Sequence, residues 1–315
     1  MLDLIIIGGS AAGSSAAIYC ARRKLNFKMV TLDLGGEVAL SGEVNNWPGI
    51  LTIQGYELAQ KFNEHVKSYG VEIDEGWKIE KIIRVKKHYR LTAVNGVGET
   101  KEIETKSAII ATGIHPRHLA VPGEKEFYLK GVTYCTVCDG PLFKNKITAT
   151  IGSGNSALES ALMMTGIASR VYVLSKFPNT PEQNGGFPKG EAILIEKAKS
   201  LPNVEIIYEA ATTAIIGTDR ISAIKYKVGK NPEQELAIEG VMVHIGQIPN
   251  SQFAEKVKKN KAGEIMIDEK CRTNLRGIFA AGDVTDVAYK QIGIAAGQGI
   301  VAGLAAIEYI NRWKE

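Results

Sequence analysis

The feature of this sequence that most limits its fold is a strand, glycine turn, helix and strand pattern that occurs twice. In the first copy, an apolar run at residues 4–7 leads into a turn at 8–13, a helical pattern, and a second apolar run that ends at Asp33. In the second copy, residues 147–151 lead into a turn at 152–157. Such units are typical of dinucleotide-binding folds, in which helices cover a parallel sheet. Two copies predict an α/β protein with two Rossmann-like, three-layer domains.

The glycine content agrees with this prediction. The chain has 33 glycines among 315 residues, whereas a usual share of about 7% would give roughly 22. They follow no three-residue period, so collagen is excluded, and 45% hydrophobic with 23% charged residues is ordinary for a globular protein. The net charge of +4 is too small to indicate a nucleic-acid partner.

The ends of the chain predict neither a signal peptide nor a membrane span. The first residues run straight into a strand pattern without a basic segment. The longest apolar stretch, 292–310, has the length of a span, but glycines, Gln298 and Glu308 interrupt it. We therefore expect a buried helix there and a cytoplasmic protein.

The first glycine turn has the features of a site for a dinucleotide. The free N–H groups at the start of its helix suit a pyrophosphate, and Asp33 lies 20 residues after Gly13, where an acidic group would bond a ribose hydroxyl. Ser10 replaces the middle glycine of the usual pattern. A small residue still admits a phosphate, although a plain strand–helix corner is the alternative.

The second glycine turn keeps Gly152 and Gly154, with Ala157 at the close-packing position. Its next strand ends at Ser175 and Lys176, so neither an acidic group for a ribose nor an arginine cluster for a 2′-phosphate follows it. The alternative to a second dinucleotide site is therefore a retained fold whose cofactor site has changed.

Two cysteines three residues apart indicate redox chemistry. Cys135 and Cys138 can close a small disulfide ring, and Asp139 follows them as a candidate proton donor or acceptor. A zinc site would need two further ligands, and simple packing is the remaining alternative. We predict no metal site, and we expect Cys20 and Cys271 to be ordinary buried residues.

A third candidate for ligand binding lies near the C-terminus. There, an apolar run at 278–281 ends at Gly282 and Asp283, and Lys290 and Gln291 precede the glycine-rich helix. Ligands of open α/β sheets bind at the carboxyl ends of strands. The alternative is an aspartate that only caps a helix.

Together, these motifs and their order resemble the low-molecular-weight thioredoxin reductase family across nearly the whole chain. The chain is also similar to the flavoprotein subunit of alkyl hydroperoxide reductase without its N-terminal domain. The resemblance is carried by both glycine turns and by residues 46–49, 111–113, 135–140, 279–284 and 290–291.

The resemblance implies an FAD domain formed by residues 1–115 and 246–315, with residues 116–245 inserted as a second domain that carries the cysteines. It assigns the FAD site to Gly8, Ser10, Ala11, Ala12, Gly13, Asp33, Gly36, Glu37, Asn46, Ala111, Thr112, Gly113, Gly282, Asp283, Lys290, Gln291 and Ile292. A second dinucleotide site would comprise Gly152, Gly154, Asn155, Ser156, Ala157, Ser175 and Lys176.

The resemblance also implies roles for the redox residues. Cys138 would face the flavin, Cys135 would attack the disulfide of a thioredoxin-like partner, and Asp139 would match the family's acid. The protein would be a homodimer in which the inserted domain swings between flavin and partner.

The electron donor stays open between NADPH, NADH and reduced ferredoxin. NADPH-using relatives carry His-Arg-Arg after the second strand, and NADH-using relatives carry an acidic residue there, whereas this chain has Ser175, Lys176 and Phe177. Two other functions also stay open: a flavoprotein that feeds a peroxidase, and a non-enzymatic nucleotide-binding redox sensor.

Overall fold

The computed structural model describes residues 1–314, which form two compact units. One unit comprises residues 1–115 and the chain from Ile248 onward, and the other comprises Pro116–Gln247. The resemblance implied boundaries at 115/116 and 245/246, and the two units of the structure divide at 115/116 and 247/248.

The elements are numbered in chain order. The strands are β1 (Leu2–Ile7), β2 (Phe27–Thr31), β3 (Glu43–Val44), β4 (Ile53–Gln54), β5 (Glu72–Glu75), β6 (Trp77–Val85), β7 (His88–Asn95), β8 (Thr100–Ile110), β9 (Ile114–Pro116), β10 (Val132–Thr133), β11 (Ile147–Ile151), β12 (Arg170–Leu174), β13 (Val204–Ile207), β14 (Ala210–Gly217), β15 (Ile221–Val228), β16 (Gln234–Ala237), β17 (Gly240–Val243), β18 (Gln247–Pro249) and β19 (Ile278–Ala280). The helices are α1 (Ala11–Arg22), α2 (Gly36–Leu40), α3 (Gly55–Ser68), α4 (Thr136–Asp139), α5 (Asn155–Met164), α6 (Ala192–Ser200) and α7 (Ile292–Asn311), with short 3-10 turns at Gly140–Phe143 and Pro181–Gln183.

The first unit is built on a seven-stranded sheet. Strands β5, β2, β1, β8 and β19 run parallel, and β6 and β7 add an antiparallel pair beside the first half of β8. Strand β1 is apolar on both faces because helices and loops cover the parallel part of the sheet, and Leu4, Ile5 and Ile6 are fully buried.

The second unit repeats the plan on a five-stranded parallel sheet in the order β10, β17, β11, β12, β13. A three-stranded antiparallel sheet of β14, β15 and β16 is added to it. Both predicted strand–turn–helix–strand units are therefore present, and the predicted α/β class with parallel sheets is confirmed.

The last helix, α7, is long and apolar enough by length and composition to cross a membrane. Within the first unit, however, α7 packs along α1. Gly299 faces the backbone of Ala12, and a Cβ atom at this position would lie 2.1 Å from the Ala12 carbonyl oxygen. Its small residues are thus explained by close contact between two helices, as expected for a core helix.

Candidate cofactor and redox sites

The predicted FAD residues of the first unit gather at one edge of its sheet. Pairing of Ile7 with Ile110, and of Ile110 with Ala280, places the carboxyl ends of β1, β8 and β19 side by side. The residues that follow these ends, or that begin α1, α2 and α7, are Gly8, Ser10, Ala11, Ala12, Gly13, Gly36, Glu37, Ala111, Thr112, Gly113, Gly282, Asp283 and Ile292.

The start of α1 forms the candidate phosphate cradle. Ser10 stands at the N-cap, but its hydroxyl donates to Gly35 O at 2.6 Å and caps no helix N–H. The first-turn N–H groups therefore keep their capacity to bind an anion. Gly13 allows the helix to lie close to the strand, because a Cβ atom there would be 1.9 Å from Gly8 O.

Asp33 lies just after β2, and it shapes the next loop. Its Oδ1 accepts a hydrogen bond from Gly36 N at 2.8 Å. The loop needs glycine at two successive positions, because Gly35 and Gly36 have φ values of 121° and 52°. One carboxylate oxygen of Asp33 thus holds the turn, and the exposed side chain can still offer its second oxygen to a ribose hydroxyl.

Asp283 provides the observation that tests whether these residues fit FAD. Its Oδ1 is buried and has no hydrogen-bond partner among the described residues. Burial raises the pKa of Asp283 to about 6, although the charge of Lys290 acts in the opposite direction. Such a carboxyl is short of donors, and the hydroxyls of a ribityl chain are donors. The residues therefore fit FAD.

A second carboxyl in the same cradle belongs to Glu37, at the start of α2. Burial raises its pKa, Asp283 and Asp33 raise it further, and His115 lowers it. The charges that act on its pKa show that Glu37 faces the same edge of the sheet as Asp283 and Asp33.

Asn46 and Gln291 are brought together although they are 245 positions apart. Asn46 Nδ2 donates to Gln291 Oε1 at 3.2 Å. Lys290 behaves differently, because its ammonium binds Glu264 at 2.9 Å and also donates to the carbonyl oxygen of Thr285. Lys290 therefore braces the loop that carries Asp283 in this structure.

Two residues that the sequence did not predict as site residues hold this edge in place. Gln298 Oε1 accepts from Gly282 N at 2.8 Å and lies 3.2 Å from Thr285 Oγ1. Asn250 Nδ2 donates to Thr112 O at 2.9 Å, and Thr112 Oγ1 donates back to Asn250 O at 2.6 Å. A single amide in a helix or loop gives no local signal for such contacts.

The second glycine turn leads into α5 with Gly154 at the N-cap and Asn155, Ser156 and Ala157 in the first turn. A segment distant in sequence also reaches this turn. Lys189 forms a parallel bridge with Gly154, and Asn155 and Glu191 exchange two hydrogen bonds of 2.9 and 2.8 Å. The sequence prediction missed Lys189 and Glu191 because it considered only the end of the next strand.

Ser175, at the end of β12, points into the protein. It is fully buried, donates to Gly186 O, and lies 3.0 Å from Ser153 Oγ. Lys176 is exposed, and its ammonium lies 5.2 Å from the centre of the Phe177 ring. The position that would recognise a ribose in other dinucleotide sites is therefore used here to hold a loop.

Cys135 and Cys138 form a disulfide at the start of α4. Cys138 N donates to Cys135 Sγ at 3.2 Å, and Cys135 is the N-cap residue. A backbone N–H aimed at this sulfur stabilises a thiolate there once the disulfide is reduced. The spacing alone had suggested such a ring.

Asp139 follows the disulfide and is 8% exposed. Thr133 Oγ1 donates a short hydrogen bond to its carboxylate. Burial raises the pKa of Asp139, and the hydrogen bond from Thr133 acts in the opposite direction. The arrangement can hold a proton beside two sulfurs that exchange partners.

The other two cysteines, Cys20 and Cys271, are buried and free. Burial raises the pKa of Cys20 to about 12 and that of Cys271 to about 11. Both remain thiols at neutral pH, which makes them poor nucleophiles. No group of three or more candidate metal ligands occurs among residues 1–314.

Comparison with known proteins identifies the family. Residues 2–299 match the family described as pyridine nucleotide-disulphide oxidoreductase. The chain is 38% identical to a subunit of alkyl hydroperoxide reductase from Pseudomonas putida, over 98% of this chain and 58% of that protein. It thus spans about three fifths of the length of that curated relative.

Solved structures resemble the chain over its whole length. A thioredoxin reductase from Streptococcus pyogenes is 31% identical with a TM-score of 0.88, and each chain is covered to 99%. A ferredoxin-flavin thioredoxin reductase from Clostridium acetobutylicum is 27% identical with a TM-score of 0.52 and the same coverage. The chain therefore belongs to the pyridine nucleotide-disulphide oxidoreductase family, its structural neighbours are thioredoxin reductases, and FAD is the cofactor that its first unit is built to hold.

Proposed function

We propose that this protein is a flavoprotein disulfide reductase that reduces the disulfide of a thioredoxin-like protein through Cys135 and Cys138. The observation that carries the proposal is the Cys135–Cys138 disulfide, followed directly by the buried carboxyl of Asp139. FAD, when bound, supplies the electron pair for this disulfide. The predicted homodimer and cytoplasmic location belong to the same proposal.

The residues of the chain support a simple sequence of exchange steps. Two electrons and two protons convert the disulfide into two thiols. The Cys135 thiolate, favoured by the N–H of Cys138, attacks one sulfur of the partner and forms a mixed disulfide. Cys138 then attacks Cys135, which re-forms the internal disulfide and releases the partner as a dithiol.

Asp139 handles the protons of these steps. Because burial raises its pKa, the carboxyl can give a proton to the partner's leaving sulfur and take one from Cys138 as that thiol attacks. The second proton leaves Cys135 when it becomes a thiolate and reaches the partner's other sulfur through solvent. The net reaction thus moves two electrons and two protons from the internal dithiol to the partner disulfide.

Replacing single cysteines tests the proposal. Cys138→Ser is expected to abolish reduction of a thioredoxin-like protein and to retain bound flavin. Cys271→Ser, which changes a buried cysteine outside the redox motif, is the matched control and should remain active. Partner reduction by Cys138→Ser at the control's rate, or purified protein without flavin absorbance, would refute the proposal.

The donor is decided by anaerobic bleaching of the flavin with NADPH, NADH and reduced ferredoxin in parallel. The buried Ser175 favours ferredoxin, because its hydroxyl is used inside the protein and the exposed Lys176 is not the carboxylate that would bond a ribose. Fast bleaching by either nicotinamide would exclude ferredoxin as the sole donor.

A second candidate partner is a peroxidase, favoured by the 38% identity to the alkyl hydroperoxide reductase protein. Peroxide-dependent turnover with a peroxidase, in the absence of a thioredoxin-like protein, would support it. Steady turnover of either partner would exclude the non-enzymatic redox sensor.

A further inference from the structure

A buried hydroxyl lies between the two redox cysteines. Thr136 begins α4 and is 4% exposed. Its Oγ1 lies 2.6 Å from Ser160 Oγ on α5 and 2.7 Å from His244 Nε2, just after β17. Three elements of the second unit therefore meet at a side chain that belongs to the redox motif.

His244 is neutral in this cluster. Burial lowers its pKa to about 4, so its Nε2 forms a neutral hydrogen bond with the Thr136 hydroxyl at physiological pH. Ser160 is also buried, and its hydroxyl lies 3.4 Å from Thr150 Oγ1 on β11. The chain of hydroxyls thus continues from the redox helix into the sheet.

Thr136 lies between the two cysteines, so its hydrogen bonds affect the geometry of the disulfide. The Cα atoms of Cys135 and Cys138 lie 5.3 Å apart, within the range that a disulfide allows. Thr136 is the first residue of the helical turn that joins them. The hydrogen bonds of Thr136 to α5 and to the residue after β17 restrict the backbone of this turn. Without them, the backbone would be free to relax once the disulfide is reduced. Such an anchor favours the disulfide over the dithiol.

We propose that Ser160 and His244 are positioning residues which act through Thr136 on the redox helix and so set the equilibrium between its disulfide and its dithiol. The inference deepens the proposed function, because it rests on Cys135 and Cys138 being redox-active. It concerns the reaction in which the disulfide and two glutathione molecules give the dithiol and one glutathione disulfide.

The test is this thiol–disulfide equilibrium in the flavin-containing protein without partner or donor. Samples equilibrated anaerobically in glutathione buffers are quenched and alkylated, and the peptide that contains Cys135 and Cys138 is quantified by mass spectrometry. Thr136→Val removes the hydroxyl at nearly constant shape and is expected to shift the equilibrium about tenfold toward the dithiol, which is ~30 mV in potential.

Two variants separate this effect from a general loss of stability. Thr136→Ser keeps the hydroxyl and should stay within about twofold of the unsubstituted protein. Thr148→Val removes a hydroxyl that is equally buried on β11 and lies 3.4 Å from Arg170 O, outside the cluster. It too should leave the equilibrium unchanged.

His244→Leu and Ser160→Ala provide the second measurement if Thr136→Val does not fold, and each should shift the equilibrium in the same direction. If Thr136→Val leaves the thiol–disulfide equilibrium unchanged, or if Thr148→Val shifts it as far as Thr136→Val does, the inference is overturned and the proposed function stays intact. A disulfide in the unsubstituted protein that even excess dithiothreitol does not reduce would overturn both.

Discussion

The contact between α1 and α7 allows one substitution to be compared at two positions of a single helix. Gly297 lies on the exposed side of α7, with no atom within 4 Å of a Cβ added there. Gly299 is buried, and its added Cβ would lie 2.1 Å from Ala12 O, where ordinary contact begins at about 3.4 Å. Alanine should therefore stabilise the first position and destabilise the second.

The magnitudes follow from two opposing effects. Replacing a helical glycine by alanine stabilises a helix by about 1 kcal/mol, and at Gly297 nothing opposes this gain. At Gly299 the obstacle is backbone, so α1 and α7 must separate by roughly an ångström, and overpacking of this kind costs about 3 kcal/mol. The net loss for Gly299→Ala is about 2 kcal/mol, which places the two variants ~3 kcal/mol apart.

Thermal unfolding of the flavin-containing protein checks this comparison. For a unit of this size, ~3 kcal/mol corresponds to a difference of roughly 6–12 °C in Tm. Because Ala12 is a predicted FAD residue, Gly299→Ala should also retain less flavin per chain after gel filtration. A Gly299→Ala variant that melts at or above the temperature of Gly297→Ala would refute the reasoning, since α1 and α7 could then separate without loss.

Three polar side chains give further predictions. In FAD-free protein, the free energy of unfolding should fall as pH rises from about 4 to about 6, because the pKa of Asp283 is about 6 in the folded state and 3.8 in the unfolded chain. The fall amounts to about 3 kcal/mol. Urea titrations of Asp283→Asn should show no such fall. Asp139→Asn should slow partner reduction about 10²-fold with flavin content unchanged, and an unaltered steady-state rate would exclude its proton role. Gln298→Leu removes the acceptor of the buried Gly282 N–H, so it should cost about 1–3 kcal/mol and weaken flavin retention, as flavin-to-protein ratios would reveal.

The parts of the fold that follow local rules could be predicted from the sequence. Both glycine turns join a buried strand to a helix, because strand length, glycine and apolar pattern are all encoded within about 30 residues. The helix starts are the exception: the first turn was predicted to extend over residues 8–13, whereas α1 already begins at Ala11. The last residues of the glycine turn already form the first turn of the helix. Their N–H groups have no partner within the helix, and the pattern of apolar residues does not show this.

Residues whose roles depend on distant partners could not be predicted. Gln298 and Asn250 act through hydrogen bonds to segments that the topology brings near, and His244 meets Thr136 across 108 positions. None belongs to a motif with fixed spacing. Asn46 and Gln291 were singled out only because the family resemblance implied that both lie near the flavin, and neither residue encodes locally the hydrogen bond that joins them.

The second glycine turn shows why glycines alone do not identify a donor. Gly152 is required by packing, because a Cβ there would lie 2.3 Å from His244 O, and the buried Ala157 fits against the same turn. Both would be retained in a chain that binds no nucleotide. Charged side chains also lie at the start of α5, where Glu191 holds Asn155 by two hydrogen bonds. A carboxylate at this place would repel a pyrophosphate and Lys189 would attract it, so the glycines by themselves do not distinguish a nicotinamide site from a retained fold.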